Sequence, residues 1–407
     1  MSKIWLVAGV ALALTLSGCG STSQGTGGPA GSTVDGSASS ATAGSDGGSV
    51  ATTDSASDVG FQVSPEADTK HVRLDEPVVV KVGSGTLSQV EVRSPGGTVL
   101  DGALGDQNTS WTSTGHLSSA TTYTVQAQAT DTDGKVQQFS SKFTTLKPSS
   151  RVSAAITPGD GWTVGVGMPV IIDFSHAVAL KNRDAVVKAL SVTTTPAVTG
   201  AWRWFSSEEI QWRPQNYWTS GTKVVVKADL ADVEVSPGVW GRRAFTHGFT
   251  IGSSVIDTVD MKKHTLTMRV AGKVVKVLPV TTGKPGLETR TGIKVIISRE
   301  LSRNMDAATT GVDPKDPEYY NIKDVKFAMR LTFTGEFLHA APWSVAYQGH
   351  ANVSHGCTGM SLANAQWLYE HSKVGDVVVY TGSKRKLEWG NGYTAWNMSF
   401  SSWAAGS

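Results

Sequence analysis

Cys357 is one of two cysteines in a chain of 407 residues, and it stands in the run Ser354-His355-Gly356-Cys357. The other, Cys19, closes an apolar N-terminal stretch. A leftover cysteine in an exported chain is either an intermolecular disulfide partner or a reactive thiol. Its neighbours favour the thiol. Gly356 lets a backbone or a ligand approach closely. His355 shares a face with Cys357 if the segment is extended. His339 lies eighteen residues upstream, near enough for an adjacent strand. A thiol needs a base or a positive potential to ionise near neutral pH, and this segment offers both. A helix is expected from Ser361 to about Lys373, stopped by Gly375, with Leu362, Ala365 and Leu368 on its apolar face. Cys357 would then lie just upstream of a helix start, where the dipole favours a thiolate. Against this stands the commoner role of a lone cysteine as a small buried hydrophobe. A zinc site from His339, His350, His355 and Cys357 lacks the usual ligand spacing, so no metal is expected there.

The elements that must position these residues read as mostly β. Charged residues make up 17%, hydrophobic residues 39%, and the net charge is +2, which gives no electrostatic case for nucleic acid. Residues 1–19 read as a lipoprotein export signal. Lys3 supplies the positive end, Ile4 to Leu16 the apolar core, and Leu16-Ser17-Gly18-Cys19 a lipidation box. The apolar run is shorter than the ~20 residues a spanning helix needs. Residues 20–59 are Gly, Ser, Thr, Ala and Asp almost throughout, a flexible tether with a span of roughly 35 Å. The chain is therefore expected in the cell envelope, at the outer face of the plasma membrane.

Residues 60–147 show short strand-like runs and an Asp133-Gly134 hairpin signal, a β-sandwich of immunoglobulin-like size. Residues 148–252 look like a second copy. Trp111 is followed by Tyr123, Val125 and Ala127, and Trp212 at the same spacings by Val224, Val226 and Ala228. Trp202, Trp204, Trp212, Trp218 and Trp240 are read as packing residues in preference to sugar-binding ones. Residues 253–382 form a third, mainly β domain. Arg299 to Asn321 is polar and turn-rich, a candidate flap over a site, and Phe327 to Leu338 delivers His339 at a strand end. In the tail, 383–407, Trp389, Trp396 and Trp403 are expected to anchor against this third domain.

The spacing of His339 and Ser354-His355-Gly356-Cys357 resembles the signature of the YkuD-type L,D-transpeptidases of the bacterial cell wall. Gly335-Glu336-Phe337-Leu338-His339-Ala340, Gln348-Gly349-His350-Ala351-Asn352-Val353 and Asn364-Ala365-Gln366-Trp367 are similar to the mycobacterial members. The resemblance covers about residues 60–407. It implies an all-β dominated chain: two tandem immunoglobulin-like sandwiches, then a mainly β catalytic domain with a short helix after the nucleophile. It implies Cys357 as nucleophile and His339 as base, oriented by the carbonyl of Ala340. It also implies an oxyanion site at the N–H groups of Gly356 and Cys357, helped by His355. Met305, Thr334, Gly335 and Ser354 match substrate-lining positions, and Tyr320, or Tyr319, would lie on the flap. The family's usual Asn two residues after the cysteine is here Gly359, as in one mycobacterial branch.

The implied reaction is 3→3 cross-linking of peptidoglycan, with no metal or organic cofactor needed. A tetrapeptide donor stem acylates Cys357 and releases D-Ala, and a diamino acid on an acceptor stem resolves the acyl-enzyme. Carbapenems are expected to acylate Cys357 as donor mimics. The rivals are an L,D-carboxypeptidase, another envelope cysteine acyltransferase, and a catalytically weak wall-binding lipoprotein. Papain-like enzymes place the histidine far downstream of the cysteine, whereas here it lies upstream. A wall-binding module would keep its function when Cys357 becomes Ala.

Overall fold

A computed structural model describes residues 59–406. The expected export signal, Cys19 and nearly all of the tether lie outside the described residues. Val59, expected as the last residue of the tether, is instead fully buried in a core.

Strict alternation builds the first sandwich. In Thr122–Thr130 the residues Tyr123, Val125, Ala127 and Ala129 are buried, and the threonines and glutamines between them face outward. This strand pairs with Thr86–Arg93 and, through a hairpin at Gly134 (φ +81°), with Val136–Thr144. A second sheet runs in the order Phe61–Ser64, Val79–Val82, Ser110–Ser113, Gly102–Leu104. Both sheets share one core, in which Val80, Trp111, Val125 and Phe143 meet.

The second unit repeats this register. Val80 pairs with Trp111 in the first and Val170 with Trp212 in the second. Tyr123 pairs with Phe143, and Val224 with Phe249. Each tryptophan also lies over a glycine. A Cβ added at Gly102 or at Gly200 would come within 2.0 Å of the indole of Trp111 or Trp212. Those glycines pair with the residue two past the tryptophan, Ser113 and Pro214 respectively. Trp202, Trp212, Trp218 and Trp240 are buried, and Trp204 packs against the same core as the first three, so packing accounts for them.

The third domain stacks a five-stranded sheet against a four-stranded one. The first has the order Lys273–Pro279, Thr265–Val270, Val255–Asp260, Val377–Thr381, Gly292–Val295. The second has the order Ser298–Asp306, Asn321–Arg330, Phe337–Ala340, Thr358–Met360. Leu266, Leu338, Met360 and Leu368 fill the core between them; each fully buried aliphatic side chain contributes about 1.5–3 kcal/mol. The helix Leu362–His371 is capped by the Ser361 hydroxyl, which accepts from Asn364 N–H. It buries Ala365 and Leu368 but leaves Leu362 half exposed. Two expectations are corrected here. The polar stretch from Arg299 begins as a strand, so the flap is the tip of a hairpin between Ser298–Asp306 and Asn321–Arg330. The segment from Phe327 to Leu338 is not one strand, since a turn at 331–336 divides it.

The tail is also corrected. Its tryptophans grip the second sandwich rather than the third domain. Trp403 is fully buried and donates its indole N–H to Ala201 O (2.8 Å). Trp396 donates to Gly167 O (2.7 Å), and Trp389 stacks on Phe205 at 4.7 Å. Arg213 lies over both Trp396 and Trp403. Between these anchors Asn397 exchanges hydrogen bonds with the backbone of Ile293 in the third domain. Indoles have both an apolar body and a donor to satisfy, and the second sandwich supplies the matching carbonyls.

Candidate active site

Parallel pairing of Phe337–Ala340 with Thr358–Met360 sets His339 opposite Gly359. This brings the two halves of the motif side by side, although eighteen residues separate them in sequence. His339 is buried, and its Nδ1 lies 2.8 Å from Ala340 O. A carbonyl only accepts, so Nδ1 donates and the lone pair of the neutral ring is at Nε2. Burial pulls the imidazole below its ordinary range, and the Ala340 carbonyl opposes this only in part. A neutral, oriented base follows.

Cys357 sits with Met305, Val325, Ala328 and Phe337 in a small apolar cluster. Its Sγ lies 3.4 Å from Gly335 O, to which the thiol donates, and it accepts from Phe337 N–H. Burial pushes the thiol up to about 12, against the backbone bond from Phe337, which lowers it. The expected help from the helix dipole is absent from this geometry. The strand Thr358–Met360 intervenes, and the helix starts at Leu362; dipole effects fade within a turn.

The turn before the cysteine is held by side chains. Ser354 Oγ accepts from Gly356 N–H (3.1 Å) and donates to Cys357 O (2.6 Å). Thr289 Oγ1 donates to Gly356 O (2.7 Å). The Gly356 N–H is therefore occupied by Ser354, which leaves the expected oxyanion role without that donor in this state. Gly356 has φ +126°, a conformation that favours glycine. His355 does not extend alongside Cys357. Its Nε2 meets Glu318 Oε2 of the flap at 2.9 Å, and its ring packs on Tyr320 at 4.9 Å. Glu318 also pairs with Lys284 at 2.6 Å, so these residues tie the flap tip to the cysteine turn.

A cavity of 420 Å³ opens over these groups. Met305, Tyr320 and Ile322 line it from the hairpin, and Ala341, Trp343, Ser344 and Tyr347 from the segment after His339. Thr281, His339, Val353, Ser354, His355, Cys357 and Gly359 complete it. Tyr319 and Thr334 are not in this lining. The Tyr319 hydroxyl accepts from Asn321 (3.3 Å), and Thr334 bonds Asn391 of the tail. Gly335 contributes the carbonyl that meets the thiol. Gly359 has a steric reason: a Cβ there would lie 2.8 Å from Ala341 Cβ and 3.2 Å from Thr281 Cγ2. Thr281 and Gly359 also exchange backbone hydrogen bonds of 2.9 Å.

Sequence reasoning missed the charges beneath the cysteine. Glu336 is buried, with Lys294 Nζ at 2.5 Å and an Arg290 guanidinium nitrogen at 3.0 Å. Sequence reasoning also missed Trp343, which lies 6.0 Å ring to ring from His339 and lines the cavity. The available signal was Lys294 at the centre of the apolar run Ile293-Lys294-Val295-Ile296.

A model of the bacterial Ig domain matches residues 69–234, running across the joint between the two sandwiches. A model of the L,D-transpeptidase catalytic domain matches residues 255–379. L,D-transpeptidase 2 of Mycobacterium tuberculosis is 38% identical over 336 residues, covering 82% of this chain and 81% of that protein. L,D-transpeptidase 5 of the same organism is 32% identical over 337 residues, covering 81% and 72%. A solved L,D-transpeptidase in complex with imipenem is 32% identical, with a TM-score of 0.49 over 58% of this chain and 100% of that one.

Proposed function

Because the chain belongs to the L,D-transpeptidases, and is an enzyme of that kind, we propose that it forms 3→3 cross-links in peptidoglycan through an acyl-enzyme on Cys357. The observation that carries this reading is the pairing of a buried, neutral His339, held by Ala340 O, with Cys357 in the lining of one cavity. His339 Nε2 takes the thiol proton as sulfur attacks the carbonyl before the terminal D-Ala of a tetrapeptide stem. The same nitrogen returns that proton to the leaving amine of D-Ala, leaving a thioester. The side-chain amine of a diamino acid on a second stem then attacks the thioester. Its proton passes to His339, and the thiol is restored by the reverse path. The backbone N–H of Cys357 is the remaining oxyanion donor of the pair that the resemblance implies. Met305 and Tyr320 line the donor pocket. His355 acts through the flap, by its contacts to Glu318 and Tyr320.

The remaining expectations join this proposal. Both sandwiches are Ig-like copies that carry the catalytic domain, a reading supported by the matched Trp–Gly registers. Cys19 carries a lipid, residues 20–58 are the tether, and the enzyme works at the outer face of the plasma membrane. Carbapenems acylate Cys357. Gly359 is compatible with activity, since Ala341 and Thr281 close the space that a larger residue would need.

Intact-protein mass spectrometry of residues 59–407 with a muropeptide tetrapeptide, and separately with a carbapenem, tests the reading. The expected result is one adduct on Cys357 and a 3→3 dimer with loss of D-Ala, both abolished in Cys357→Ala. Tripeptide without dimer would replace the proposal with an L,D-carboxypeptidase. No adduct on a folded protein would leave a wall-binding role.

A further inference from the structure

The backbone atoms that hold the Cys357 sulfur belong to Gly335 and Phe337, and the residue between them is Glu336. The residue is only 3% exposed. It lies against the cysteine turn from below: a Cβ added at Gly356 would be 3.9 Å from Glu336 Oε1. Two cations meet this one carboxylate. Lys294 Nζ, with a fully buried side chain, is at 2.5 Å, and Arg290 at 3.0 Å. The Arg290 backbone N–H adds a third donor at 3.1 Å. Arg290 also reaches Glu388 at 2.6 Å, but that carboxylate is half exposed and well solvated. The Lys294 ammonium lies 3.8 Å from the centre of the Tyr380 ring, and the Tyr380 hydroxyl bonds Thr358 Oγ1 (2.7 Å), next to Cys357 in the chain. The ammonium thus contacts Glu336 directly and reaches Thr358 through Tyr380. A buried ammonium is costly, and it is retained where its field has a use.

We propose that Lys294 and Glu336 are positioning residues for the nucleophile: their buried pair fixes the Gly335–Phe337 backbone on the sulfur, and the excess cation beneath it sets how readily the Cys357 thiol ionises. Other charged or titratable groups facing Cys357 are His339 on the adjoining strand, Arg330 and Tyr320 on the hairpin, and Tyr380 on the strand Val377–Thr381. Among these, Lys294 and Arg330 favour the thiolate and Glu336 opposes it. This inference rests on Cys357 being the nucleophile of the proposed reaction. Its test, however, needs no peptidoglycan.

The test is the rate of Cys357 alkylation by iodoacetamide, followed from about pH 7 to 9.5, with thermal melting of each variant as a control for folding. Lys294→Gln keeps a donor for Glu336 but removes the charge. It should displace the rate–pH line towards higher pH by about one unit, a roughly tenfold slower alkylation at fixed pH. Glu336→Gln should displace the line the other way. The double variant K294Q/E336Q, which keeps the charge balance, should return towards the wild-type line. A purely structural pair would move both single variants in the same direction and the double variant furthest. That pattern, or no displacement in either folded single variant, overturns the proposal. If K294Q does not fold, Arg290→Gln serves as the variant that removes a cation, with the same expected direction and the same overturning result. Loss of cross-linking with these displacements intact would instead count against the proposed reaction alone.

Discussion

Glu336 and Asp257 are both sealed inside the third domain, yet Glu336 meets two cations, while neither carboxylate oxygen of Asp257 has a hydrogen-bond partner among the described residues. Burying a carboxylate as an ion costs several kcal/mol, and the structure meets that cost by two routes. Under the cysteine it supplies fixed positive charge. At Asp257 burial first, and then the nearby Asp376, push the acid well above its ordinary range, which favours its neutral form. Asp376 is itself pushed up to about 7 by burial, with Lys373 opposing. This second pair lies where the second sandwich docks. Gly165 N–H donates to Val374 O and Gly167 N–H to Gly375 O, both at 2.8 Å. A Cβ at Gly165 would come within 2.2 Å of Asp376 N. The difference shows where a fixed charge has a use. Near the nucleophile a neutral acid would supply no field, whereas at a packed junction a proton suffices.

The contrast is most directly broken at Glu336. Glu336→Ala leaves Lys294 buried without a carboxylate and Arg290 with Glu388 alone, and should cost about 3–5 kcal/mol in urea unfolding. A loss below about 1 kcal/mol would mean that the cations do not depend on it. The Asp257–Asp376 pair predicts a smaller, pH-dependent effect. A folded acid raised to about 7 contributes stability that is complete below its unfolded value near 4 and lost as pH rises through 7. Asp376→Asn should therefore flatten the fall in stability between about pH 4 and 7, by an amount on the order of 2–4 kcal/mol. An unchanged slope would remove the contrast. The smallest effect belongs to Glu388 at the rim. Burial pushes its carboxyl up, but hydrogen bonds from Asn391, its own N–H and Arg290 outweigh this and hold it at about 2. Its contribution is present above the ordinary carboxylate range and lost only as pH falls through about 2. Because the side chain is 53% exposed, Glu388→Gln should cost less than about 1 kcal/mol, and the same melts at neutral pH would read it.

What could be read from the sequence was local or periodic. Ser354 to Cys357 is contiguous, and its bonds through Ser354 Oγ close within the same few residues. The Trp111 and Trp212 spacings recur because each repeats one register, with a glycine across from the indole. Longer-range pairings were illegible. Lys294 and Glu336 are 42 residues apart, and nothing in either neighbourhood names the other. The tail tryptophans announced that they would be buried but not against which domain, since the matching carbonyls of Gly167 and Ala201 lie about 200 residues upstream. The helix was expected in nearly the right place, yet its effect on Cys357 was misjudged. Only the parallel pairing with Phe337–Ala340 reveals Thr358–Met360 as a strand between them.

The tail has a mechanical consequence. Trp396 and Trp403 clamp one body, while Asn397, on the chain between them, is stitched to Ile293 of the other. Add the docking of Gly165 and Gly167 on Val374 and Gly375, and the second sandwich and the third domain are joined at separated points instead of a single hinge. Such a mounting resists torsion. A rotation of the second sandwich therefore carries the third domain with it, and the mouth of the cavity turns like a tool on a rigid handle.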